Sequence, residues 1–130
     1  MSLFEIFSII IIHFIADFVL QTNKQAKGKS SNWSDLLEHT FTYTTVWWVI
    51  GVVIIMLTKE SKQGIITISP LIGFTLITFT CHTITDYFTS RLNKKLWESN
   101  QVHNFFVGIG FDQVLHYIQL FLTYYYITKL

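Results

Sequence analysis

Four histidines and four aspartates fall into pairs of constant spacing: His13 with Asp17, Asp35 with His39, His82 with Asp86, and Asp112 with His116. Residues four apart on a helix share one face, so each pair presents an imidazole and a carboxylate together. That donor set suits Zn²⁺, with Mn²⁺ or Fe²⁺ as alternatives. Four of each exceed the need of one tetrahedral ion; they would hold two ions about 3.5–4 Å apart with bridging carboxylates. An open coordination position lowers the pKa of a bound water toward about 7 and supplies hydroxide as nucleophile. A carboxylate or imidazole outside the ligand set would then act as general base. The chain offers no rival chemistry, since it has no Gly-rich phosphate loop, nucleophile-elbow serine or C-x-x-C motif.

The elements that carry these pairs are strongly apolar. Of 130 residues, 51% are hydrophobic and 13% charged, against about 25% charged in soluble domains. This excludes a disordered chain, and a net charge of +1 gives no sign of a nucleic-acid partner. One cysteine excludes an internal disulfide. The runs Thr40–Thr58, Gln63–Thr85 and Gln113–Thr128 contain no Asp, Glu, Lys or Arg, and Leu3–Leu20 is broken only by Glu5, His13 and Asp17. About 20 such residues span a bilayer. We therefore expect an all-α integral membrane four-helix bundle, one domain over 1–130, with helices at about 3–22, 35–58, 66–90 and 105–128. Strands are disfavoured because an open sheet cannot satisfy its edges in lipid. No Lys or Arg precedes the first apolar stretch and no A-x-A-like site follows it, so it reads as a span rather than a cleaved signal.

Loop charges set the expected orientation. Lys24, Lys27, Lys29, Arg91, Lys94 and Lys95 flank one side; Lys59, Lys62 and Lys129 flank the other. The richer side belongs in the cytoplasm, which puts both termini outside it. Leu92, Leu96 and Trp97 lie beside the bases between the last two spans, as either a loop or a short interfacial segment.

The order within the pairs follows helix direction: His then Asp in the first and third spans, Asp then His in the second and fourth. Each Asp thus lies nearer the cytoplasm, with its His about 6 Å deeper at about 1.5 Å per residue. Four helices would bring a layer of Asp and a layer of His to one depth. The same pattern is an internal repeat, HFIADF against HTITDY and Asp35/His39 against Asp112/His116. Two helical hairpins in one orientation imply a pseudo-twofold axis along the membrane normal, with the site on it. Gln21 and Gln113 are candidates for support of the ligands. Thr75, Thr78, Thr89, Gln119 and Thr123 read as helix packing and back-bonding residues, His103 as solvated, and Cys81 as an ordinary buried thiol.

The blocks HFIADFVLQ, LLEHTFTYT, the central His-x-x-x-Asp and FDQVLH resemble, in order and over nearly the whole chain, the domain of unknown function 3307 family of small bacterial and phage membrane proteins. More remotely, the helical pattern is similar to LexA-regulated inner-membrane proteins regarded as metal-dependent hydrolases. The resemblance carries over His13, Asp17, Gln21, His39, His82, Asp86, Asp112, Gln113 and His116, and implies a bacterial inner-membrane location.

The expected function is a metal-dependent membrane hydrolase acting near the cytoplasmic face on a lipid or lipid-linked phosphoester. Its metal ligands would be His13, Asp17, His39, His82, Asp86, Asp112 and His116. Asp35, nearest water, would be the base, with His39 also catalytic. The bilayer and a lipid-like substrate are the expected partners, and the residues leave an oligomer open. Two other readings stay open: a metal ion or proton transporter, and a membrane interaction protein without enzymatic activity.

Overall fold

The computed structural model describes residues 1–58 and 67–129, and every element among them is helical. Helix α1, Leu3–Phe14, opens on a capping box. Ser2 Oγ accepts from the Glu5 amide at 3.2 Å while Glu5 Oε2 accepts from the Ser2 amide at 2.5 Å. The helix widens into a π turn over Ile15–Val19, closed by the Leu20 amide on the Ile15 carbonyl at 3.0 Å. A second capping box, Thr22 with Gln25, starts the short α2, Asn23–Gly28. Three long helices follow: α3 Trp33–Thr58, α4 Ile68–Glu98 and α5 Val102–Ile127. Pro70 falls in the first turn of α4, where its missing N–H would have had no helical partner.

Helices α3, α4 and α5 are each long and apolar enough to cross a membrane. The expected first span, 3–22, is instead a 12-residue α-helix continued by the π turn. The expected start at 66 lies outside the described residues, as do Lys59 and Lys62. The largest difference is at the far end of α4, which runs to Glu98 rather than 90 and absorbs the expected loop. Lys94 and Glu98 pair one turn apart at 3.9 Å, and Trp97 packs on Phe105 of α5 with ring centres 5.0 Å apart. Asn100, in the left-handed region at φ 56°, then turns the chain. The Gln101 amide bonds the Leu96 carbonyl at 2.9 Å and the Asn100 amide the Trp97 carbonyl at 3.0 Å, a Schellman motif that stops α4. Gly108 lies inside α5, where its bare Cα lets the Asn93 side chain of α4 pack closely.

Burial runs opposite to that of a soluble protein. His13, His39, His82, Thr40 and Thr78 are fully buried, whereas Phe4 is 81% and Leu57 79% exposed. An outer surface this apolar needs lipid or protein against it. The buried apolar residues, among them Ile9, Tyr43, Trp47, Phe74 and Leu120, form one cluster joining α1, α3, α4 and α5. Elsewhere along the α3–α4 seam, Gly51 of α3 sits directly against the Leu71 side chain of α4. Gly51→Val is expected to cost about 1–3 kcal/mol by overpacking, read as a lower melting temperature in detergent; an unchanged melt would mean that α3 and α4 separate easily.

Candidate metal centre

Helices α4 and α5 deliver both members of their pairs through the four-residue spacing, α3 delivers His39, and the π turn delivers Asp17. Asp17, His39, His82 and Asp86 are all buried and converge, each placing one ligand atom within 4.8 Å of the others. His39 Nε2 lies 3.0 Å from Asp17 Oδ1, 3.2 Å from Asp86 Oδ2 and 3.1 Å from His82 Nε2. His82 Nε2 lies 3.6 Å from both Asp17 Oδ1 and Asp86 Oδ2. With metal–ligand bonds of about 2.0–2.1 Å, a tetrahedron has edges of about 3.3 Å. Five of the six edges among these atoms therefore fall close to the tetrahedral length. Two imidazole nitrogens facing each other at 3.1 Å also need a proton or a cation between them.

A second group, Asp17, Asp112 and His116, adjoins the first. Asp86 links the two, its Oδ2 in the first group and its Oδ1 3.1 Å from His116 Nε2. His116 Nε2 is 3.4 Å from Asp112 Oδ1. Thr89 donates to that Asp112 oxygen at 2.5 Å. Gln113 ties the groups together, donating to Asp17 Oδ2 at 3.2 Å and to Asp112 Oδ2 at 3.1 Å. Gln21 Nε2 stands 3.2 Å from His39 Nδ1, fixing the ring whose other nitrogen faces the cluster.

His13 and Asp35 belong to neither group. His13 keeps its Nε2 on Gln113 Oε1 at 2.8 Å and its Nδ1 on the Tyr43 hydroxyl at 2.9 Å, so neutral partners occupy both nitrogens. Asp17 is 3.7 Å away. Asp35, in the first turn of α3, is buried against Gly28 and lies 3.2 Å from Lys24 Nζ. There it offsets the helix dipole, and Glu38 beside it takes the same lysine at 2.9 Å. The carboxylates of Glu38 and Asp35 hold the exposed Lys24 ammonium above its usual pKa. His103 is exposed, as expected, and Cys81 is half-buried. Thr75 and Thr123 back-bond to the carbonyls four residues earlier, at 2.7 and 2.8 Å.

Two participants escape a reading of the pairs alone. Tyr43 lies one turn beyond His39 on the same face, so its spacing gives it away in retrospect. Its ring stacks on His82 with centres 3.8 Å apart, and His116 stacks on the other side at 4.2 Å. Lys29, which reads from sequence only as a loop charge, reaches into the cluster. Its Nζ lies 2.8 Å from Asp86 Oδ2 and 3.4 Å from His39 Nε2. Burial alone would push its ammonium down, but Asp86 and Asp17 hold it above the ordinary lysine pKa. Nothing in the spacing marks it, because the caps of α2 are what fold the loop back over the bundle.

Neither a curated protein nor a solved structure matches the chain. Residues 6–130 match a family described as a protein of unknown function, DUF3307, and the chain belongs to that family.

Proposed function

We propose that this chain is a four-span integral membrane protein, both termini outside the cytoplasm, whose His/Asp cluster binds a divalent transition metal and hydrolyses a membrane substrate. A bacterial inner membrane is the setting the family resemblance favours. Its two hairpins, α1 with α3 and α4 with α5, would be the two repeats. The observation that carries the reading is the near-tetrahedral set Asp17, His39, His82 and Asp86, five of whose six edges measure 3.0–3.6 Å. Interhelical polar contacts in membranes contribute only about 0.6 kcal/mol on average, so helix adhesion is a weak reason to bury so many ionisable groups.

Zinc is the first candidate, with manganese or iron as alternatives, because two imidazoles and two carboxylates suit all three. Bound here, such an ion supplies Lewis acidity and acidifies a water ligand. The protein's own residues do the rest. Gln21 and Gln113 orient ligands, and His13 holds Gln113 in turn. Asp112, gripped by Thr89 and Gln113, is better placed than Asp35 to accept a proton, since Lys24 engages Asp35 away from the cluster. Asp112 and His116 would alternatively complete a second ion site with Asp17.

Elemental analysis of protein purified in mild detergent after metal-replete expression is the test. About one or two ions per chain are expected; less than about a tenth of an ion would end the metal reading. Conversion of lipid or phosphoester substrates by the same detergent sample supports hydrolysis. Metal-loaded protein that converts nothing there, yet moves protons or metal across vesicle membranes, would replace hydrolysis with transport.

A further inference from the structure

A cavity of about 670 Å³ opens onto the cluster between the π turn, α2, and the facing parts of α4 and α5. Cavities of this size take small ligands. Its charged lining is balanced, with Asp17, Asp86 and Asp112 on one side of the account and Lys27, Lys29 and Lys94 on the other. A divalent ion held by the aspartates would leave the cavity with two positive charges in excess. One stretch of the remaining wall is apolar, formed by Phe18, Trp97, Phe105, Phe106 and Ile109. Phe18, Trp97 and Phe106 are also 46%, 57% and 63% exposed, so this wall continues onto the outer surface. Ser90 lines the same cavity, and its Oγ is buried without a hydrogen-bond partner among the described residues. By contrast Thr75, Thr80 and Thr83 of the same helix all bond a carbonyl four residues back. A buried hydroxyl left unpaired is costly unless something else completes it.

From these features we infer that the cavity binds a dianionic phosphate head group carried on an apolar chain. The inference rests on the metal reading above, because the excess charge is the ion's. The head group matches the two excess charges, with Lys27 and Lys94 at its flanks and Ser90 donating to one oxygen. Lys94 is free to turn inward, since Glu98 holds it only loosely at 3.9 Å. The chain lies along Phe18, Phe105, Phe106 and Ile109 and leaves by the exposed aromatic edge. A zwitterionic head group would bring no net charge to this site, and a cationic one would be repelled.

Native mass spectrometry in detergent tests this, because it counts bound metal and bound amphiphile on the same molecule. The probes are dodecylphosphonate, which cannot be hydrolysed, methylphosphonate, which lacks the chain, and dodecyltrimethylammonium, which reverses the charge. Zinc-loaded protein is expected to hold dodecylphosphonate at least about tenfold more tightly than either other probe, the factor of one charge-assisted contact. Chelation of zinc should remove the preference. The double variant Lys27→Gln/Lys94→Gln should weaken phosphonate binding roughly tenfold and leave zinc content unchanged. Zinc-loaded protein that treats the three probes alike, or prefers methylphosphonate, overturns the inference and leaves the metal reading standing. An equal preference in the chelated protein overturns the charge argument. Protein that takes up no zinc removes both.

Discussion

Asp86→Ala is expected to empty the cluster of metal and to destabilise the metal-free protein as well. One carboxylate serves four partners: Lys29 at 2.8 Å, His116 at 3.1 Å, His39 at 3.2 Å and His82 at 3.6 Å. Removing it takes one corner from the near-tetrahedral set and the bridge to Asp112 and His116. It also leaves the Lys29 ammonium, only 16% exposed, without its nearest counter-charge. Breaking a buried pair from one side costs about 3–5 kcal/mol. Zinc should fall below about a tenth of an ion per chain, by mass spectrometry of the metal. The thermal transition in detergent should fall with it. Asp86→Asn separates the two effects. It keeps the volume and a carbonyl for Lys29, so it should melt higher than the alanine variant while still losing metal. An Asp86→Asn protein with full zinc content would remove Asp86 from the ligands.

Lys29→Met should act in the opposite direction on metal. The ammonium sits against the Asp86–His39 edge of the set, so an ion entering there must push it aside. Two unit charges 4 Å apart interact by about 4 kcal/mol at an effective dielectric of 20, and a divalent ion doubles that repulsion. Without the lysine, zinc affinity should rise by at least about tenfold, or about 1.4 kcal/mol. The metal-free protein should melt lower, because Asp17 and Asp86 lose their compensating charge. Zinc should then raise the melting temperature of the variant by more than that of the parent, as linkage requires. Competition with a chromogenic chelator reads the affinity; an unchanged value would mean that the ion and Lys29 occupy separate places.

The part of this site that is legible in the sequence is the part governed by helical periodicity. His39, His82, Asp86, Asp112 and His116 could be grouped from spacing alone, because residues four apart on long helices must share a face. What periodicity misses depends on turns. Asp35 has the right spacing from His39, yet it falls in the first turn of α3, where Lys24 from α2 reaches it. Lys29 enters the site only because Thr22 and Gln25 cap a helix of six residues. The extent of α4 was hidden for a similar reason. Arg91, Lys94 and Lys95 read as either a loop or a short interfacial segment, whereas α4 continues through them to Glu98 with Trp97 packed on Phe105. Gly108 blurred the start of α5, although there it serves close packing against Asn93.

The lysine in the cluster also bears on how the chain enters a bilayer during synthesis. The N-terminal half emerges first and carries Asp17, His39 and Lys29, charges of both signs that meet within one compact unit. Its buried carboxylate therefore has a compensating cation before any metal arrives. The C-terminal half brings Asp86 and Asp112 but no lysine to the cluster. Asp86 finds its lysine across the bundle at Lys29, while His116 of the same half serves both Asp86 and Asp112. The C-terminal half is therefore expected to be the dependent partner, because the one lysine that Asp86 pairs with belongs to the first half.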